Sequence, residues 1–238
     1  MKNTMKAGAL LLTGMLALSA CGNSDESAEA SDSKATASPS PTLAVGQEQY
    51  TAEELTAALE AVNTARGGEG VVSGDADFRE YLEQQVLPDG VAVTPGQCEG
   101  IASFTGFFGD VDEANIASLK LGEDQKLVVV SHPEAADLEA LTQENEGLLD
   151  ECADFKMGDE SLTVAGNIER RDVSTDAPDT SAFTLTISAE GNTLSGLKVA
   201  SASGTTNVVA TNSDAANTDE ATAEAAKLIN AVLAELEK

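Results

Sequence analysis

Three cysteines and a single histidine are the side chains best able to do chemistry, and their spacing gives them different work. Cys21 ends the run Leu18-Ser19-Ala20-Cys21, which follows a short basic start, Met1-Lys2-Asn3-Thr4-Met5-Lys6, and an apolar stretch from Ala7 to Leu18. That stretch is shorter than the ~20 apolar residues that span a bilayer, so it reads as a secretory leader. Small residues at 19 and 20 suit a narrow peptidase pocket, and the thiol behind them can accept a diacylglyceryl group. The expected product begins at an acylated Cys21. Two or three chains there make a stable membrane tether, since each buried methylene contributes about 0.8 kcal/mol. The location implied is the outer face of the cytoplasmic membrane.

Cys98 and Cys152 are then the two remaining cysteines in an oxidising compartment, and they are expected to be bonded. They lie far apart in sequence and make no CxxC pair, which argues against redox work. His132 stands before Pro133 and is read as a helix-start or solvent-facing residue; one imidazole cannot build a multi-histidine metal site. Ser195-Gly196-Leu197-Lys198 has the Ser-x-x-Lys spacing of penicillin-interacting enzymes. It falls in an expected strand, where Ser195 and Lys198 would face opposite sides, and no Lys-Thr-Gly accompanies it. Asp110-Val111-Asp112 begins like a calcium loop, but Asn115 and Leu121 stand where glycine and glutamate are required. No catalytic residue, metal site or cofactor is assigned. Phe104, Phe107 and Phe108 hold half of the six phenylalanines and are candidate ligand-binding residues, with a plain core role as the alternative.

Loss of Lys2 and Lys6 with the leader takes the formal charge of −28 two units further down, to about −30. A field of that sign repels phosphate backbones and anionic lipid surfaces, so nucleic acid is not expected as a partner and membrane contact should run through the acyl anchor. Residues 1–20 are the expected leader, and 21–47 the acylated cysteine and an acidic Ser/Ala/Pro spacer too poor in large apolar residues to fold. Residues 48–238 are long enough for one domain with its own core. With no Trp, that core must be built mainly from Leu, Val, Ile and Ala.

Thr51 caps a helix from Ala52 to Arg66, with Glu54 completing a capping box and Leu55, Leu59 and Val62 on one face. Asp77 to Val86 suggests a shorter helix through Phe78, Tyr81, Leu82 and Gln85. Ile101, Phe104, Phe107 and Phe108 would line one side of a helical segment after Cys98. Ala114 to Leu121 and Lys126 to Ser131 form a hairpin across Gly122 to Gln125. Pro133 opens a helix at its first position, with Leu138, Leu141 and Leu148 at helical spacing down to Cys152. Strands follow at Phe155 to Gly158, Ser161 to Val173, Ala182 to Ala189, Thr193 to Ala200 and Thr205 to Thr211, with Val164, Ile168, Phe183, Leu185, Ile187, Leu194, Leu197, Val199 and Val208 expected inside. Asp219 to Glu237 closes the chain as a helix buried through Ala225, Leu228, Ile229, Val232 and Leu236, capped by Asn217 or Thr218. The order implies an α+β single domain: an antiparallel-rich mixed sheet, helices packed beside it, one disulfide.

The capped first helix, Pro95-Gly96-Gln97-Cys98, the helix ending in Cys152, the meander and the closing helix together resemble the extracellular sensor domain of the mycobacterial kinase PknH and related actinobacterial lipoproteins, over roughly Tyr50 to Lys238. By that resemblance Cys98 and Cys152 correspond to the family's first disulfide; the second has no counterpart here. The resemblance implies helices beside a V-shaped groove that takes an extracellular ligand. By this reading neither the kinase nor a transmembrane helix that would carry a signal inward is expected. The function expected is noncatalytic binding of a ligand or protein in the envelope. The alternatives are a transport receptor, for which the chain is short, and a hydrolase using carboxylates among Asp150, Glu151, Asp154 and Asp159. Wild-type protein should enter the detergent phase in Triton X-114 partitioning, and residues 21–238 with Cys21→Ala, made without the leader, the aqueous phase; wild-type protein in the aqueous phase would contradict acylation.

Overall fold

The register of one antiparallel sheet sets where every functional side chain can point. The computed structural model describes residues 45–84, 87, 89–103, 105–158, 163–189, 191–214 and 217–238, all within the unit Ser40–Lys238. Nine strands are described: β1 (Val71–Ser73), β2 (Ala92–Thr94), β3 (Asn115–Leu121), β4 (Gln125–Ser131), β5 (Asp154–Gly158), β6 (Thr163–Arg170), β7 (Asp179–Ala189), β8 (Asn192–Ser203) and β9 (Thr206–Asn212). They lie in the order β1-β3-β4-β9-β8-β7-β6-β5-β2. Every pairing is antiparallel, so the expected mixed character is absent from the described ladders. The α+β class and the single disulfide are as the sequence implied.

The helices are α1 (Ala52–Ala65), α2 (Asp75–Glu83), α3 (Glu99–Ala102), α4 (Ala135–Glu151) and α5 (Thr218–Leu236). The Thr51–Glu54 capping box opens α1: Glu54 N–H donates to Thr51 Oγ1, and Thr51 N–H donates to Glu54 Oε2. Leu55, Leu59 and Val62 from α1 and Leu228, Ile229, Val232 and Leu233 from α5 cover one face of the sheet, meeting Ala117, Leu119, Leu127, Val129, Val199 and Val208. The opposite face carries two separate clusters. In one, Phe78 of α2 and Phe108 pack on Ile116, Val128, Val130 and Val209. In the other, Phe107, Ile101, Leu149 and the two cysteines pack on Phe155, Ile168, Phe183 and Leu185.

Several expectations give way at this second face. Cys98 ends a 3-10 turn, Gly96–Cys98, and the helical segment after it is the single turn α3, which stops at Ala102, short of the phenylalanines. Ser103 turns its hydroxyl back onto Glu99 O, a local bond that competes with helix continuation, and Gly106 comes so near Gly100 that a Cβ would sit 3.0 Å from its carbonyl carbon. Phe107 and Phe108 therefore leave the helix and enter different clusters; Phe104 lies outside the described residues. Pro133 precedes the N-cap Glu134 and does not open α4, which holds Leu138, Leu141 and Leu148 and buries Leu138, Asn145 and Leu149, with Leu148 packed partly buried beside them. Gln85, Val86 and residues 161–162 also lie outside the described residues. Leu194, expected inside, keeps 75% of its surface exposed.

Val45 and Gly46 clamp the β8–β9 turn: Ser203 Oγ donates to Val45 O, and Thr205 N–H donates to Gly46 O. Gly46 and Gly204 both hold positive φ, and a Cβ on either would collide with backbone of this clamp, so only glycine fits at both.

The disulfide joins Cys98 to Cys152 at the end of α4, with a Cα separation of 5.6 Å and both cysteines fully buried. It closes a loop with a sequence separation of 54. Replacing both cysteines with alanine should lower unfolding stability by about 4 kcal/mol in the chain-entropy account, read from urea midpoints at constant m; an unchanged midpoint would contradict the bond.

His132 is buried at 3% exposure and not solvent-facing. Its main-chain N–H donates to Thr205 O, while Nε2 is buried without a hydrogen-bond partner among the described residues. Burial pushes its pKa below the ordinary 6.5, against the opposing pull of Asp137 and Asp110. The unfolded chain therefore takes up this proton at higher pH than the folded one, and stability present above about pH 6.5 is lost as pH falls through the folded value. Urea midpoints should fall between pH 7 and 5.5, and His132→Met should flatten that slope; an equal slope in the variant would overturn the assignment.

Candidate functional site

Between the two clusters on the second face the sheet is left open as a groove of about 600 Å³, within the range of small-molecule sites. Register builds its floor. Lys120 pairs with Lys126, Lys126 with Thr211, Thr211 with Lys198, and Lys198 with Phe183, one transverse line across β3, β4, β9, β8 and β7. Partners directly opposite in an antiparallel ladder point to the same side of the sheet. Neighbouring strands lie about 4.8 Å apart, so Lys126 and Lys198 stand roughly 10 Å from one another across β9.

The two inner lysines have distinct surroundings. Lys198 is fully buried; its Nζ lies 3.8 Å from the Phe107 ring centroid and 5.0 Å from that of Phe108, and burial drives its pKa well below the ordinary lysine value. Lys126 is half-buried, with Nζ 3.2 Å from the Tyr81 centroid and 5.2 Å from that of Phe78. Burial first, and then the charge of Lys120, lower its pKa to about 8. Ring faces carry negative potential and so support cations in such places. Burial raises the pKa of Tyr81.

The walls are apolar. Leu185 faces Gly196, and Ile187 faces Leu194, along the outer end of the β7–β8 hairpin. Leu82, Tyr81 and Phe78 of α2 stand on the other side. Three large apolar side chains among the described residues are exposed, Val71, Tyr81 and Leu194, and the last two line this groove. Gly196 adds room: a Cβ there would find nothing nearer than 3.5 Å, so the missing side chain leaves space and is not demanded by packing. Glu123 and Asp124 stand at the rim, where Asp124 Oδ1 accepts from Ser213 Oγ.

Of the aromatic candidates, Phe108 lines the groove, packed at right angles to Phe78 with centroids 5.5 Å apart. Phe107 stacks on Phe183 at 5.0 Å and roofs Lys198. Ser195 bonds to Thr186 and stands an odd number of residues from Lys198, so the Ser-x-x-Lys pair does not converge. Nor do the acidic candidates: Asp150 accepts from Arg170, Glu151 from Gln97 and Asp154 from Asn167, each exposed and outside the groove. Asp159 lies outside the described residues. Among the described residues no cluster of His, Cys, Asp and Glu could hold a metal ion, and no helix is long and apolar enough to cross a membrane. Sequence reading missed Lys126 and Lys198 as groove residues; pairing the two hairpins by register would have placed them on one line.

Neither a protein-family model nor a curated protein matches the chain. Among solved structures, the extracellular domain of PknH from Mycobacterium tuberculosis is similar at 17% identity and a TM-score of 0.50, covering 80% of this chain and 98% of that one. The Rv0999 ortholog from Mycobacterium smegmatis is similar at 18% identity and a TM-score of 0.45, covering 77% and 97%. The fold of the described domain, an antiparallel sheet with helices on both faces, is thus shared with the PknH extracellular domain.

Proposed function

We propose that this chain is a membrane-anchored, extracytoplasmic lipoprotein whose domain binds a ligand in the groove without catalysis. The leader is 1–20, the acylated Cys21 and its spacer occupy 21–47, and the binding domain is 48–238. The groove carries the reading: an apolar-walled space of about 600 Å³ with a few polar groups on its floor is the usual form of a small-molecule site. The fold shared with an extracellular domain supports the location, as does the buried disulfide, a bond of oxidising compartments. The lysines nearest the groove are held against aromatic rings, an arrangement suited to holding a guest.

Gly196→Leu fills the groove at a position where the backbone tolerates a side chain. Mass spectrometry of small molecules extracted from wild-type protein and from this variant, each purified from membranes, should find a species carried by the first and lost from the second, at unchanged melting temperature. Identical extracts, or no bound species in either, would overturn the reading.

A further inference from the structure

The groove holds a pair of cations that the fold does not neutralise. Lys120 and Lys126 are direct cross-strand partners, and like charges so placed destabilise a sheet. The chain has acids to spare, 41 against 13 basic residues. It uses them elsewhere: each of the four arginines pairs with a carboxylate, and so do Lys227 and Lys238. Lys120 and Lys126 form no ion pair among the described residues; neither does the exposed Lys156, but its cross-strand partners are the uncharged Thr94 and Ala165. Asp124 is near in sequence, yet its carboxylate accepts from Ser213. Lys126 is steered inward by the Tyr81 ring, and Lys120 stands exposed at the mouth. Beside the pair runs an apolar wall that ends in Leu194, a leucine left three-quarters in water.

We propose that the groove takes an amphiphile with a single anionic head on a hydrocarbon body, the head between Lys120 and Lys126 and the chain against Leu82, Leu185, Ile187 and Leu194. This rests on the groove being a binding site. A guest of this kind removes both anomalies together, supplying the absent counter-charge and covering the exposed leucine. Polyanions are disfavoured, because the strongly negative chain repels an extended phosphate backbone wherever it leaves the two lysines. A carboxylate and a phosphate monoester share this chemistry, as a free fatty acid or as a phospholipid head.

The test uses the mature chain, residues 21–238 with Cys21→Ala, which carries neither leader nor acyl chains and needs no detergent, in equilibrium dialysis against dodecanoate, dihexanoylphosphatidic acid, dodecanol and acetate below micellar concentrations. At least one anionic amphiphile should bind about tenfold or more tighter than dodecanol, the scale of a charge-assisted hydrogen bond, and acetate should not bind at millimolar concentration. The tighter anion of the two names the source. Lys126→Gln should bring the anion down to the level of dodecanol and leave dodecanol within about twofold, and Lys120→Gln, at an exposed position, should act in the same direction without risk to folding. Equal binding of dodecanol and both anions, or equal weakening of all of them by Lys126→Gln, would overturn the anionic assignment while leaving the groove as a site. Failure of every amphiphile to bind would overturn the amphiphile inference, and the Gly196→Leu extracts judge the groove separately.

Discussion

Strand register is the constraint on which the site depends. The line from Lys120 through Lys126, Thr211 and Lys198 to Phe183 exists because four antiparallel ladders hold those residues opposite one another. A slip of one residue in any ladder would turn a lysine to the other face, into the apolar cluster beneath α1 and α5. Both faces of the sheet carry packed clusters, so such a slip would also drive leucines and valines out of two interiors at once. The same hydrophobic burial that forms the core therefore fixes the floor of the groove, and the floor needs no contact of its own to hold its lysines in place.

Chain crossings over the second face then decide that a groove is left there. The chain passes from the β1 edge through α2 to β2 at the opposite edge, returns by the 3-10 turn and α3 to β3, and crosses again through α4 to β5. The cysteine bridge pins two of these passages together, and Phe107 and Phe108 part company to join the clusters on either side. Their divergence places Lys198 under two rings. A buried ammonium is expensive to desolvate, and the lowered pKa together with the ring faces is how that cost is met at this position.

Local signals were readable in the sequence where one residue type has one use. Thr51 with Glu54 marked the start of α1, the stripe in α5 marked its buried face, and Gly122 marked a hairpin turn with positive φ. The edge strands β1 and β2 were not readable, since three residues carry too little alternation to stand out. The groove was hidden for a related reason. On β8 the buried positions Leu197 and Val199 face α5, while the other face presents Leu194, Gly196, Lys198 and Ala200, a set with no apolar pattern of its own. Leu194 looked like core because its type suits core, and it is exposed because the hairpin outruns the helices that cover the rest of the sheet.

Net charge gives a misleading impression of this surface unless distance is considered. At physiological ionic strength a charge is screened over about 8 Å, so most of the acids, spread along 238 residues, act weakly on the groove floor. What an entering group meets is set by its immediate neighbours. Two of those are acidic, Glu123 and Asp124, and three are lysines, Lys120, Lys126 and Lys198. The acids sit in the exposed turn between β3 and β4, where water weakens them, whereas Lys126 and Lys198 sit progressively deeper, where a lower effective dielectric strengthens whatever charge they carry. A strongly acidic protein can thus present a locally cationic floor, and the depth order of the two signs favours an anionic head over a cationic one.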